Sequence, residues 1–158
     1  MSGFCGVGLD NAKTPANVGS ALRACGVFGA EFLAISGARY VRSPTDTAKA
    51  YRSMPLFRCQ NLFDLVPFDC VPVAIEITDN AKPLPEYQHP DRAFYIFGAE
   101  DQTLGARILS GVRDVVFIPS KSCLNLAACV NVVLYDRMVK RGESFATRGM
   151  SERERMAA

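Results

Sequence analysis

The sequence contains a single histidine, His89, set in a proline-rich loop. No Ser-His-Asp set can be built around it, and its expected place is an exposed loop position. One histidine among scattered cysteines does not suggest a zinc site, so no metal is expected. The six cysteines (Cys5, Cys25, Cys59, Cys70, Cys123, Cys129) include no C-x-x-C pair and sit mostly in apolar segments. Buried free thiols are therefore expected rather than disulfides. No apolar run approaches the ~20 residues of a membrane span. The opening M-S-G-F-C-G-V-G-L-D has neither a basic start nor a long apolar stretch, so no secretory signal is expected and a cytoplasmic setting is. Gly6 and Gly8 form G-x-G, but no third glycine opens a helix after them. The dinucleotide fingerprint is thus missing, as is a Walker loop. The net charge of +2 is too small to announce a nucleic-acid partner by itself. With neither repeats nor a linker, one domain is expected over residues 1–142, followed by a polar tail, 143–158.

What is present is an alternation of strand and helix patterns. Phe4–Leu9 reads as a first strand, and Asn17 precedes an amphipathic helix, Val18–Phe28, capped by Gly29. Glu31–Ser36, Leu56–Cys59, Val71–Ile77, Ala93–Phe97 and Val115–Ile118 read as further strands. Thr45–Arg52, Asn61–Val66, Leu104–Ser110 and Leu124–Val139 read as helices or helical turns. Thr78–Arg92 reads as the longest loop. Several strands are continuous apolar runs, the mark of a parallel sheet covered on both faces. The fold class expected is α/β, a doubly wound domain that binds ligands beyond the carboxyl ends of its strands.

Three constellations stand out. In Asn17-x-Gly19-x-x-x-Arg23, Asn17 is a good helix cap and Arg23 lies off the apolar stripe, where a solvated surface role is the plain reading. Gly19, in a first helical turn, costs about 1 kcal/mol against alanine and hints at close approach by another group. In Phe97-Gly98-Ala99-Glu100-Asp101, a strand end is followed by two acids, either a turn or a carboxylate held where α/β sites lie. In Val115–Ala128, a strand stops at Pro119, a polar loop follows, and a helix apolar almost all round begins. Such a loop leaves backbone N–H groups free for a ligand. Such a helix must be buried on most sides, for which a subunit interface is a natural means. Asn125 is either a plain helix-start residue or an amide aimed into the ligand loop.

In this order and spacing, these motifs resemble those of the SpoU/TrmH branch of the SPOUT RNA methyltransferases: Asn17 to Arg23 with Phe28-Gly29, then Phe97-Gly98-Ala99-Glu100, then Ile118-Pro119 and Cys123-Leu124-Asn125. The resemblance covers nearly the whole chain. It implies a parallel sheet with a C-terminal trefoil knot, a homodimer with the site at its interface, and S-adenosylmethionine as cofactor. The reaction implied is methyl transfer to a ribose 2′-hydroxyl of RNA, with tRNA favoured over rRNA and neither DNA nor membrane as a partner. By motif, Asn17, Arg23, Glu100 and Asn125 are implied as catalytic residues. Ile75, Gly98, Ile118, Cys123 and Leu124 are implied to line the cofactor. An activated methyl asks the protein mainly to orient the hydroxyl and help remove its proton. Arg23, always protonated, suits binding a phosphate and polarising the hydroxyl better than acting as a base.

The sequence departs from the family pattern in places. Cys123 stands where the family usually has serine, and a thiol is the weaker hydrogen-bond donor. The loop from Pro119 to Cys123 is short and lacks a glycine. No added RNA-binding domain is evident, so RNA capture is expected to fall to Arg39, Arg42, Lys49, Arg52, Arg58 and Lys121. A non-catalytic RNA-binding relative that keeps the knot is the alternative.

Overall fold

The computed structural model of the chain describes residues 3–41 and 50–142. Seven strands form one sheet: β1 (Phe4–Leu9), β2 (Leu33–Ser36), β3 (Leu56–Cys59), β4 (Val71–Ile75), β5 (Lys82–Pro83), β6 (Arg92–Phe97) and β7 (Asp114–Phe117). Their order is β3-β2-β1-β6-β4-β7-β5, and every pairing is parallel. The expected α/β class is therefore the observed one. β5, a two-residue strand inside the stretch expected to be a loop, is the difference. Its Pro83 is tolerated because the strand sits on the sheet edge.

Alternation along β1 and β6 divides the core. Cys5, Val7 and Leu9, with Ala93, Tyr95 and Phe97, face the helices α1 (Pro15–Phe28) and α3 (Leu126–Lys140). Phe94 and Ile96 face the opposite way, with Phe32 and Leu62, toward α2 (Ala106–Gly111). The glycines of β1 belong to that second side. A Cβ on Gly8 would come within 2.8 Å of the Phe94 ring, and one on Gly6 would strike Phe32. Phe32 and Phe94 stack at 5.7 Å in the space these glycines leave. G-x-G in β1 is thus a packing device, consistent with its failure to match a nucleotide fingerprint.

Helix boundaries differ from the sequence expectations for identifiable reasons. α1 begins at Pro15, with Thr14 as its N-cap, and not after Asn17. Proline presets a helical φ at a position whose N–H would be unpaired anyway, so it starts the helix early. Gly29 does close it, in the left-handed region at φ 76°. α3 begins two residues later than expected because Asn125 caps it, accepting from Ala127 N at 2.8 Å and Ala128 N at 3.4 Å. Only the Ala50–Arg52 end of the expected helix Thr45–Arg52 is described, as a 3-10 turn, and the polar tail lies outside the described residues.

α1 and α3 pack against each other on one face of the sheet. α3 buries Leu126, Ala127, Val130, Val133, Leu134 and Arg137. Its other side is left open by the described residues: Val132, Tyr135 and Val139, spaced three and four residues apart, are 38%, 50% and 45% exposed. The Phe28 ring of α1 meets Tyr135 edge-on, and Val27, next to it in α1, is also exposed.

His89 corrects a sequence expectation. It is not an exposed loop residue: its side chain is 1% exposed. Arg137, buried without a carboxylate partner among the described residues, donates to the carbonyls of Pro90, Asp91 and Phe4 and to Tyr95 Oη. With Arg137 donating to it, the Tyr95 hydroxyl is free to donate to His89 Nδ1 at 2.6 Å, and His89 Nε2–H to donate to Asp136 at 2.9 Å. That arrangement satisfies every group with a neutral imidazole. Burial is the main influence that lowers the His89 pKa, and it outweighs the opposing pull of Asp136. The cysteines also divide. Cys5, Cys25 and Cys70 are buried as expected, Cys59 and Cys129 are half-buried, and Cys123 is exposed.

Candidate active site

The carboxyl ends of β6, β4 and β7 open onto a cleft of about 350 Å³. The sequence expectation about ligand placement in α/β sheets leads to this edge. Ile75 ends β4, Gly98 follows β6, and Ile118 follows β7; Cys123 and Leu124 come from the loop before α3. All five lie on the wall of the cleft, with Glu100 at its rim. Register explains how distant segments meet: Ile75 pairs with Phe97 across β4–β6 and with Val116 across β4–β7. Gly98 is favoured by close approach. A Cβ there would lie 3.0 Å from Gln102 O and 3.5 Å from Leu104, where the loop after β6 folds back over the strand end.

Beside the cleft runs a relay of polar side chains. Asn125 Nδ2 donates to Asn17 Oδ1 at 3.0 Å, and Asn17 Nδ2 donates to Glu100 Oε1 at 2.7 Å. Glu100 also accepts from the backbone N–H groups of Thr14 (3.1 Å) and Lys13 (3.3 Å), just ahead of α1. It therefore lies at the positive end of that helix. Burial pushes its carboxyl upward, the largest single influence. The donors from Asn17, from its own backbone and from Thr14 together outweigh that influence and hold the pKa at about 2. Glu100 is consequently an anion at neutral pH. Asn17 is not the helix cap that its sequence position suggested; its amide is spent across the site. Asn125 fills both of the roles left open for it, capping α3 through its oxygen and reaching Asn17 through its nitrogen.

Arg23 is not brought into this relay. It is exposed on α1, about one and two-thirds turns beyond Asn17, and forms no ion pair or hydrogen bond among the described residues. Gly19 likewise lacks the close neighbour expected for it, since a Cβ there would meet nothing within 4 Å. Neither residue is explained by contacts among the described residues.

Three loops at this end of the sheet are latched together. Ser36 Oγ donates to Asp10 at 2.6 Å, Asn11 Nδ2 donates to Gln102 at 2.8 Å, and Arg39 grips both Asp101 oxygens at 2.8 and 2.9 Å. The Arg39 guanidinium is the main reason the Asp101 carboxyl lies below its ordinary range. Of the residues expected to capture RNA, Arg39 is thus committed to an internal pair, and Arg58 donates to the Tyr40 carbonyl. Arg52 and Lys121 are exposed, while Arg42 and Lys49 lie outside the described residues. Lys13, exposed beside Asp101 at 3.8 Å, is a cation at this rim that sequence reasoning passed over.

Sequence reasoning also missed Glu76. The apolar run predicts a strand to Ile77, but β4 stops at Ile75. Glu76 turns its carboxylate to the cleft wall, accepting from Leu104 N at 2.8 Å and Ile77 N at 2.9 Å. The clue available was an acid placed directly after an apolar parallel strand.

The geometry can be set beside known proteins. The chain is similar to the SpoU methyltransferase AviRb from Streptomyces viridochromogenes, solved in complex with the cofactor AdoMet, with 23% identity and a TM-score of 0.80, covering 91% of this chain and 60% of that one. It is similar to the A. aeolicus TrmH/SpoU tRNA modifying enzyme, with 19% identity and a TM-score of 0.78, covering 97% and 84%. A third similar structure concerns 2-OH methylation of C/U34 on tRNA, with 20% identity and a TM-score of 0.77, covering 90% and 93%. At such identities these likenesses establish a shared fold. No curated protein matches the sequence. The SpoU rRNA methylase family model matches residues 5–135, a span that takes in the Asn17 segment, the Gly98–Glu100 turn and the Asn125 cap. With one model spanning all three segments and the sheet that brings them together, the chain belongs to the SpoU rRNA methylase family.

Proposed function

We propose that this protein transfers a methyl group from S-adenosylmethionine to a ribose 2′-hydroxyl of RNA, with tRNA the favoured substrate, and that it works as a homodimer. The observation that carries this reading is the Asn125–Asn17–Glu100 relay standing at the rim of a cleft lined by Ile75, Gly98, Ile118, Cys123 and Leu124. Family membership and the fold shared with an AdoMet complex support it. So does the likeness to a structure concerned with tRNA 2-OH methylation.

The cleft suits such a cofactor. Its volume of about 350 Å³ lies in the range of small-molecule sites. Its wall combines apolar side chains for a purine with carboxylates compatible with a positively charged ligand. Bound there, S-adenosylmethionine would supply a methyl group already activated by its sulfonium. The chain's own residues then have the task of orienting the hydroxyl and handling its proton. Glu100 is ionised and held by Asn17 and by backbone donors, so it anchors the relay. Asn17 and Asn125 lock each other's amides. Arg23, a permanent cation pointing to solvent, fits binding of the substrate phosphate and polarising the hydroxyl.

The homodimer is supported by the uncovered apolar stripe Val132–Tyr135–Val139 and by the exposed Val27 of α1. Docking a second copy on this side would present Arg23 and Gly19, which lack partners among the described residues, to another chain. The trefoil threading belongs to the same proposal. It is supported by the parallel sheet and by the return of α3 from β7, near one sheet edge, to α1.

Incubation with isotopically labelled S-adenosylmethionine and bulk tRNA or rRNA tests the activity. Label is expected in tRNA; cofactor binding without transfer to any RNA would refute it. The exposed Cys123, in place of the family's usual serine, favours a second reading as a non-catalytic RNA-binding relative. Arg23→Ala separates the two. An enzyme loses turnover with cofactor affinity intact, whereas a binding protein has no turnover to lose.

A further inference from the structure

We propose that Glu76 is a ligand-binding carboxylate of the cleft and holds the ribose diol of its nucleoside ligand. This rests on reading the cleft as a site for an S-adenosyl cofactor. Glu76 follows the last residue of β4, the strand lying between β6 and β7, so its carboxylate sits where ligands of open parallel sheets bind. Its backbone is fixed, with Glu76 N donating to Val116 O at 2.9 Å. Its side chain is fixed too: Oε2 accepts from Leu104 N at 2.8 Å and Oε1 from Ile77 N at 2.9 Å. An ionised carboxylate offers about four acceptor positions. One N–H on each oxygen leaves each with a lone pair. Two free acceptors, held side by side on a rigid carboxylate, match two adjacent hydroxyl donors.

The other acids on this wall are already committed. Glu100 accepts from Asn17, Thr14 and Lys13, and both Asp101 oxygens are gripped by Arg39. Glu76 alone among the three has neither a cation nor a side-chain donor among the described residues. Its bond to Leu104 N also ties the loop that carries Glu100 to the end of β4. Ligand contact here would therefore sit on the same support that holds the relay anchor.

Calorimetry with S-adenosylhomocysteine and its 2′-deoxy and 3′-deoxy ribose forms tests this on the full chain. In the wild type, removal of either hydroxyl is expected to weaken binding about tenfold or more, the size of a lost hydrogen bond to a charged group. In Glu76→Gln the parent ligand is expected to bind more weakly, and the ratio between parent and deoxy forms to fall toward one. A purely structural role would weaken all three ligands equally and keep the wild-type ratios, which would overturn the proposal. So would a wild-type protein indifferent to both hydroxyls, a result that needs no variant to fold. A wild type that binds none of the three would overturn the cofactor reading itself, and the Glu76 assignment with it.

Discussion

Asn125 and Asn17, 108 positions apart in the sequence, are joined side chain to side chain at 3.0 Å, and each amide can take only one orientation. Asn125 must turn its oxygen to the N–H groups of α3, and Asn17 must turn its nitrogen to the Glu100 carboxylate, which only accepts. The contact between them is what these two demands leave. The helix start and the carboxylate thus fix the polarity of the relay from both ends.

Asn17→Asp removes the one donor Asn17 gives Glu100 and sets a second carboxylate against it. Methyl transfer is expected to fall by about tenfold or more, given the ~1.5–3 kcal/mol range of hydrogen bonds to charged groups. Asn17→Ala should fall less, since it adds no repulsion. Steady-state kinetics of both variants check the order; equal losses would remove repulsion from the account.

Glu100 makes stability depend on acid. Its folded pKa of about 2 lies below the ordinary 4.5, so the unfolded chain takes up the proton first. The stabilisation is complete above pH 4.5 and drains away as the pH falls toward 2. Chemical denaturation over that window should show a shallower pH slope for Glu100→Gln than for the wild type. Parallel slopes would contradict the assignment.

His89 acts in a higher window. Burial places its folded pKa below the ordinary 6.5, so the unfolded chain again binds the proton first. Stability is expected to fall as the pH drops through 6.5 toward the folded value. The groups around the ring, Tyr87, Tyr95, Asp136, Arg137 and Lys140, include two cations that oppose a third. Thermal melts of wild type and His89→Gln between pH 5 and 8 check this: the variant should start less stable at pH 8 and lose less on acidification.

Val132→Asp puts a charge in the uncovered stripe of α3 without touching its buried face. Light scattering at micromolar concentration is expected to give a dimer for the wild type and a monomer for the variant, with unchanged circular dichroism. A wild-type monomer would contradict the assembly.

Much of the scaffold was legible because it follows from short-range pattern. Apolar runs marked β1, β6 and β7, and Gly29 marked the end of α1. What was not legible depended on long-range partners. Asn17 looked like a cap because capping is local, whereas its actual partner, Glu100, is 83 residues away. His89 looked like a loop residue because its loop is polar, yet Asp136 and Tyr95 enclose it. β5 could not be seen because two residues carry no period. Glu76 was hidden by being counted as one strand residue too many. The motif resemblance supplied the positions in the cleft wall; their convergence follows from the β4–β6 and β4–β7 registers.

The three latches give the cleft unequal sides. Asp10 to Ser36, Asn11 to Gln102 and Asp101 to Arg39 hoop the ends of β1, β2 and β6 into one stiff rim. Across from it, Pro119 to Asn125 is exposed throughout, and between Ser120 and Leu124 the one side-chain donation among the described residues runs from Ser120 Oγ to Ser122 O. A nucleoside entering the cleft would therefore meet an anvil on one side and a compliant jaw on the other. The energetic cost of admission falls on the segment that carries Cys123.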